Sequence, residues 1–322
     1  MKIIFLIFSL IYIVKSQYPE CEQSILDIVF VIDSSGSIGQ RNFQEGQKAI
    51  ADLAGRLNIG PNKVKVGVIN YSSVVRREKS LISSDQDKNK IVQSILNMPY
   101  LNQATASGDA LNVAYSIFNE FGRTLTPRIA VIFTDGYSNT GSNVYEAAKR
   151  LRDSKVTVYA IGIGNGINRQ ELERIADVPS GTYVKMITDY MSLISHMNSI
   201  MQTTCETPAF IDEGKRNPLR TEKNEVRNLQ LVLPKLSSRS SHYVDVEIDY
   251  LKGDTTMQIS WLLDNKRIAP DESHVTKSYR LNKNGRSTMF YIYQIPDAAS
   301  RMYFKLKGVE NDNQYDFTVS IY

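Results

Sequence analysis

From residue 25 to residue 203 the apolar positions switch repeatedly between strand-like and helix-like spacing. Leu26–Ile32, Val64–Tyr71, Arg128–Thr134 and Val156–Ile163 read as buried strands. Thr182–Lys185 reads as a shorter strand, and Val74–Ser80 as an antiparallel edge. Between them, Phe43–Leu57, Lys88–Leu96, Ala110–Phe121, Val144–Asp153, Gln170–Ala176 and Met191–Met201 carry helical patterns. Apolar strands such as Ile129–Phe133, alternating with helices, predict a doubly wound, mostly parallel α/β sheet covered on both faces. In such sheets ligands bind outside the carboxyl ends of the strands. Asp33 and Asp135 each fall just past such an end, and Thr105 precedes the helix that begins near Gly108.

Further along, the period becomes two. Leu229, Leu231 and Leu233 share one face of a strand that Pro234 ends, and Tyr243–Tyr250 alternates almost without a break. Met257–Leu263, Val275–Leu281, Thr288–Ile295, Met302–Leu306 and Asp316–Ile321 are further strands. Lys252-Gly253-Asp254 and Asn284-Gly285 are turn signals between them, so a smaller all-β, sandwich-like domain is expected over residues 226–322. Residues 206–225 are polar, contain Pro208 and Pro218, and read as a linker.

The amino terminus sets the compartment. Lys2 precedes the apolar stretch Ile3–Val14, and Val14-Lys15-Ser16 supplies an acceptable cleavage site, so residues 1–16 read as a secretory signal peptide. The stretch is too short for a membrane span of about 20 residues. No second long apolar run or lipid-anchor signal is visible, so a secreted protein without a membrane anchor is expected. Cys21 and Cys205 are the two cysteines and bracket residues 21–205, the expected α/β domain. An even count in an oxidising compartment predicts a bond between them, worth roughly 4–5 kcal/mol in the chain-entropy picture. A net charge of +4 with interspersed signs lacks the basic stripe of a nucleic-acid binder. Asn70-Tyr71-Ser72 is the one glycosylation sequon.

Asp33-x-Ser35-x-Ser37, Thr105 and Asp135 combine carboxylate and hydroxyl oxygens at strand ends. Hard divalent cations take such donors, and magnesium holds them in near-octahedral order. Neutral hydroxyls leave the ion electrophilic, so an open position favours an acidic group on another molecule. That chemistry is binding rather than catalysis. Nucleophilic alternatives lack partners: G-x-S-x-G is absent, and His196 lies in the closing helix. Gly162-Ile163-Gly164-Asn165-Gly166 lacks the full phosphate-loop spacing and reads as a turn.

These residues resemble the metal-ion-dependent adhesion site of von Willebrand factor type A domains. The resemblance rests on Asp33-x-Ser35-x-Ser37, Thr105-Ala-Ser-Gly108-Asp-Ala110-Leu111 and Phe133-Thr134-Asp135-Gly136. Asp27-Ile-Val-Phe30, Val66-Gly67-Val68 and Val158-Tyr-Ala-Ile161-Gly162 agree with it, and the tone is that of matrilins and non-fibrillar collagens. One departure is Asn102-Gln103-Ala104, where matrix relatives often carry glycines. The resemblance implies that Asp33, Ser35, Ser37, Thr105 and Asp135 hold Mg²⁺ or Mn²⁺. It also implies that the partner is an extracellular protein, collagen or another matrix component, bound through an acidic side chain. Two other readings are a structural matrix component in which metal is incidental, and a carbohydrate-binding accessory protein. For the latter, Trp261 and Tyr291 are candidate sugar-stacking residues, with core packing as the default. Asp245, Glu247 and Asp249 share a strand face that reads as solvated. The sequence does not set an oligomeric state.

Overall fold

A computed structural model describes residues 25–322 apart from 165, 179, 235–241, 264–265, 269–274, 282–286 and 297–298. The expected signal peptide, Cys21 and the Asn284-Gly285 turn lie outside the described residues.

The first unit is built on a six-stranded sheet in the order β3-β2-β1-β4-β5-β6. Its strands are β1 (Asp27–Asp33), β2 (Lys65–Tyr71), β3 (Val75–Lys79), β4 (Arg128–Thr134), β5 (Thr157–Ile163) and β6 (Val184–Ile187). All pairings are parallel except β2 with β3. Every side chain of β1, β2 and β5 is buried, as expected of strands covered by helices on both faces. The helices are α1 (Gln40–Arg56), α2 (Lys88–Leu96), α3 (Ser107–Phe121), α4 (Val144–Asp153), α5 (Arg169–Ile175), the single turn α6 (Ser180–Tyr183) and α7 (Tyr190–Cys205). Helix α1 buries Phe43, Gln47, Ile50 and Ala54, a stripe at intervals of three and four residues. Asp87, Asn143 and Asn168 cap α2, α4 and α5 by accepting first-turn backbone N–H groups. Among the described residues no helix is long and apolar enough to cross a membrane.

Two elements differ from expectation. The strand expected over Thr182–Lys185 is displaced, because Tyr183 turns inward on α6 and packs edge-on against Tyr159 at 4.9 Å. Helix α7 runs four residues beyond Met201, with Ile200, Thr204 and Cys205 buried.

The second unit is a sandwich of two five-stranded sheets, β13-β14-β10-β16-β8 and β12-β11-β15-β9-β7. These strands are β7 (Ala209–Phe210), β8 (Asn217–Thr221), β9 (Val226–Val232), β10 (Tyr243–Lys252), β11 (Thr255–Leu263), β12 (Lys266–Ile268), β13 (Val275–Leu281), β14 (Ser287–Gln294), β15 (Ala299–Gly308) and β16 (Asn313–Ile321). Residues 206–225 are therefore not a linker, which corrects the sequence reading. β7 pairs with β9 and β8 with β16, and Ala209, Ile211 and Leu219 enter the sandwich core. Two of the inward positions of β8 are the polar Asn217 and Thr221, which masked its alternation.

The sandwich packs on the amino ends of the α/β strands. Leu125, just before β4, joins the sandwich core, and Tyr159 of β5 shares a 2.8 Å hydrogen bond with Thr207. Arg301 of β15 reaches Asp177 at 2.7 Å, with both side chains largely buried, and Lys155 pairs with Asp212. Only Glu206–Pro208 separate α7 from β7.

Candidate metal centre

Strand β1 delivers Asp33 at its carboxyl end, and Asp33 turns the chain by accepting the backbone N–H of Ser35 at 2.8 Å. The next turn brings the Ser35 and Ser37 hydroxyls to 3.2 Å from each other. Ser37 then donates to Asp135 Oδ1 at 2.9 Å, which closes the group across strands β1 and β4. Asp33, Ser35 and Thr105 are buried, whereas Ser37 is exposed, so the cluster is a floor of oxygens open on one side.

Thr105 arrives by a different route. Its backbone N–H donates to Asn139 Oδ1 at 2.9 Å, and its carbonyl accepts the Asn139 N–H at 2.9 Å. The loop after β4 thereby holds the Thr105 segment as a strand partner would. Gly36 N–H donates to the Gln103 carbonyl at 2.8 Å, tying the same segment to the Asp33 turn. Four of the five expected residues are thus linked side chain to side chain or through the Asp33 turn. Thr105 makes no bond to these four; its main chain is held by Asn139, and Gln103 ties its segment to Gly36.

The departure at Asn102-Gln103-Ala104 has a local explanation. Asn102 adopts φ +52°, a left-handed conformation that asparagine tolerates better than most residues. Its N–H bonds the Ser34 carbonyl at 3.0 Å, and the Leu101 N–H bonds Ser34 Oγ at 2.8 Å. Asparagine therefore fits the left-handed turn that these bonds hold.

Several supporting residues escape a reading of the sequence. Thr134 donates to Asp33 Oδ2 at 2.7 Å, a role that a hydroxyl at the end of an apolar strand hints at. Glu171 of α5 is buried and accepts the Ser138 N–H at 3.1 Å. Asp109 accepts from the Ser142 N–H at 3.0 Å, pinning the first turn of α3 to the loop after β4. Gly108 permits that approach, because a Cβ there would lie 2.0 Å from the Ser142 carbonyl oxygen. No sequence signal marks Asn139 or Glu171.

The electrostatics favour a cation. Burial pushes the Asp33 carboxyl up to about 6, against hydrogen bonds from Ser35 and Thr134, and Asp135 adds repulsion. Burial also raises Asp135, opposed by its bond from Ser37. No lysine or arginine is among the groups that set the acidity of either residue. Two carboxylates on a shared, largely dry floor with hydroxyls and no basic side chain match the donor set of a hard divalent ion. Among the described residues no cluster of three or more His, Cys, Asp or Glu offers an alternative metal site.

Other expectations fare differently. Asn70 is fully buried and its Nδ2 donates to the Pro99 carbonyl at 2.9 Å. The folded chain cannot carry a glycan there, so the sequon is corrected to a structural asparagine. Trp261 lies in the sandwich core, edge-on to Tyr293 at 6.5 Å, and offers no face to a sugar. Asp249 accepts a bond from Thr288, and Arg216 bridges it to Asp316.

Comparison with known proteins follows the same division of the chain. The model of the von Willebrand factor type A domain matches residues 27–199. The collagen alpha-1(XXI) chain of Xenopus laevis is 38% identical over 204 residues, 61% of this chain and 20% of that one. Matrilin-1 of Gallus gallus is 30% identical over 186 residues, 56% of this chain and 37% of that one. This chain thus spans about a fifth of the collagen and little over a third of the matrilin. Among solved structures, proximal thread matrix protein 1 from the mussel byssus, with a zinc-occupied MIDAS motif, superposes with a TM-score of 0.52. It is 25% identical, and the match covers 62% of this chain and 50% of that one.

Proposed function

The chain belongs to the von Willebrand factor type A family, and we propose that it is a secreted matrix-interaction protein that binds an acidic side chain of an extracellular protein through a divalent ion. Asp33, Ser35, Ser37, Thr105 and Asp135 would hold the ion, and the ion would supply an electrophilic position for the partner's carboxylate. One observation carries this reading. Two carboxylates and two serine hydroxyls meet at the ends of β1 and β4 with no basic side chain to balance them. Oxygen donors of this hardness favour Mg²⁺ or Mn²⁺ over zinc, which prefers nitrogen and sulfur. The matrix character of the collagen and matrilin relatives supports the extracellular setting and a collagen or other matrix partner. Secretion also suits the proposed Cys21–Cys205 bond, since among the described residues no cysteine is free. The activity is binding, not catalysis.

The test is Asp135→Ala. Calorimetry should record Mg²⁺ uptake by the wild-type protein and none by the variant, with circular dichroism unchanged. A pull-down from extracellular matrix extract should lose its chelator-sensitive partners in parallel. Full partner capture by the folded variant would instead favour a structural role in which metal is incidental. Asn139→Ala probes the second tier. Loss of its bond to the Thr105 N–H removes about 1–2 kcal/mol of support, so Mg²⁺ affinity should drop roughly five- to thirtyfold without unfolding. An affinity equal to wild type would show that Thr105 needs no such clamp.

A further inference from the structure

The outer face of the β12-β11-β15-β9-β7 sheet is covered at one end and open at the other. Register sets its side chains in ranks across β9, β15 and β11. These ranks are Gln230–Tyr303–Ser260, then Asn228–Lys305–Gln258, then Val226–Lys307–Thr256. Gln230 and Tyr303 of the first rank are buried beneath the α/β unit. Beyond them the face runs out into a groove of about 530 Å³, whose far wall includes Leu125, Pro127 and Pro208. The groove lies at the amino ends of the α/β strands, the opposite end of the sheet from Asp33 and Asp135.

Charge sets this groove apart. Elsewhere on the sandwich, Arg220 and Lys252 pair with Asp312, Arg216 with Asp316 and Arg301 with Asp177, and Arg227, which lines the groove, is paired with Glu225. Lys305 and Lys307 are exposed and line the groove without a carboxylate partner among the described residues, while Glu206, which also lines it, accepts from the Gln202 amide. Alternation roots both side chains on one face, their Cα atoms roughly 7 Å apart along the strand. Asn228 and Gln258 flank Lys305 on strands about 4.8 Å to either side. Two unpaired cations rooted on one face offer a shared site for an anion that lies between or across them.

We propose that this groove binds an anionic polysaccharide. Lys305 and Lys307 take its sulfate or carboxylate groups, and the Asn228 and Gln258 amides bond its hydroxyls. The floor alternates amides with cations across three paired strands, a spacing that suits the hydroxyls and anionic groups of a sugar chain. The apolar residues that line the groove suit the faces of its rings. With the metal centre at the other end, one molecule would engage a protein carboxylate and a glycan at once.

The experiment is calorimetric titration of the whole protein, in chelator throughout, with a heparin-derived hexasaccharide and a hyaluronan hexasaccharide. The first carries sulfates, the second carboxylates alone, so the pair tells which anion the lysines select. The expected result is binding of at least one glycan, weakened about tenfold or more by Lys305→Ala/Lys307→Ala and measurably by Asn228→Ala/Gln258→Ala, at an unchanged melting temperature. The control Lys48→Ala/Lys149→Ala removes equal charge from exposed helical lysines elsewhere and should have little effect. The proposal is overturned if neither glycan binds or if the groove variant binds as wild type. Equal weakening by the control would also overturn it, as would an alternating Gly-Glu peptide that takes the lysines while both glycans fail.

Discussion

Asp177→Ala is expected to remove about 3–5 kcal/mol of stability and to split one melting transition into two. Asp177 is fixed by its own N–H, which donates to the Val158 carbonyl at 2.9 Å. Its carboxylate receives Arg301 Nη2 at 2.7 Å, while Arg301 Nη1 donates to Gln230 Oε1 at 3.1 Å. Gln230 in turn donates to the Pro208 carbonyl at 3.0 Å, so the network crosses from the α/β unit into the sandwich. Without Asp177 the Arg301 charge stays in the interface with the Gln230 amide and the Phe210 ring beside it but no carboxylate. An uncompensated buried charge costs far more than the pair itself contributes. The double variant Asp177→Leu/Arg301→Met should therefore recover most of the loss. Scanning calorimetry decides the matter, and a single variant that melts like wild type would show that the apolar contacts alone hold the units together.

The second large effect is a dependence on pH that a metal ion should erase. The Asp33 carboxyl sits at about 6 in the folded chain, against an ordinary value of 3.8. Between those values the folded protein keeps a proton that the unfolded chain has released. Stability of the metal-free protein must then fall as pH rises from about 4 to about 6, and level off above that. The full span is on the order of 3 kcal/mol. Asp135, also raised by burial, acts with the same sign. In chelator the melting temperature should be higher near pH 5 than near pH 7, and saturating Mg²⁺ should remove most of that difference by balancing the charge. Asp33→Asn should flatten the chelator profile. A wild-type profile that instead rises across this interval would mean that the floor is better hydrated than its burial implies.

Much of the first unit was legible because its signals were local. Helices α2 and α4 and strand β4 begin and end where the pattern places them, since Asp87 and Asn143 cap the helices and Ile129–Phe133 is an unbroken apolar run. Asp33, Ser35, Ser37 and Asp135 were legible for a related reason: each sits at or just past a strand end, where a chain reading already looks for ligands. What stayed hidden depends on contacts between distant segments. Asn139 sits in a polar loop of Gly, Ser, Thr and Asn, and only the fold reveals which of them faces Thr105. The sequon at Asn70 carries no information about burial. Arg301 lies in an alternating strand, where a charged residue reads as facing water, yet the docked α/β unit covers it. Strand β8 was missed because two of its three buried positions, Asn217 and Thr221, are polar, and the Asn217 amide donates to the Phe317 carbonyl at 3.0 Å.

Because three residues join α7 to β7 and the Arg301 network stitches the seam behind them, the described residues leave no elbow between the two units. Tension entering at the loop tips near Asp33 would pass through the parallel strands straight into the sandwich, with no slack to take up first. Such a joint would hold the two units at a set separation instead of letting them swing.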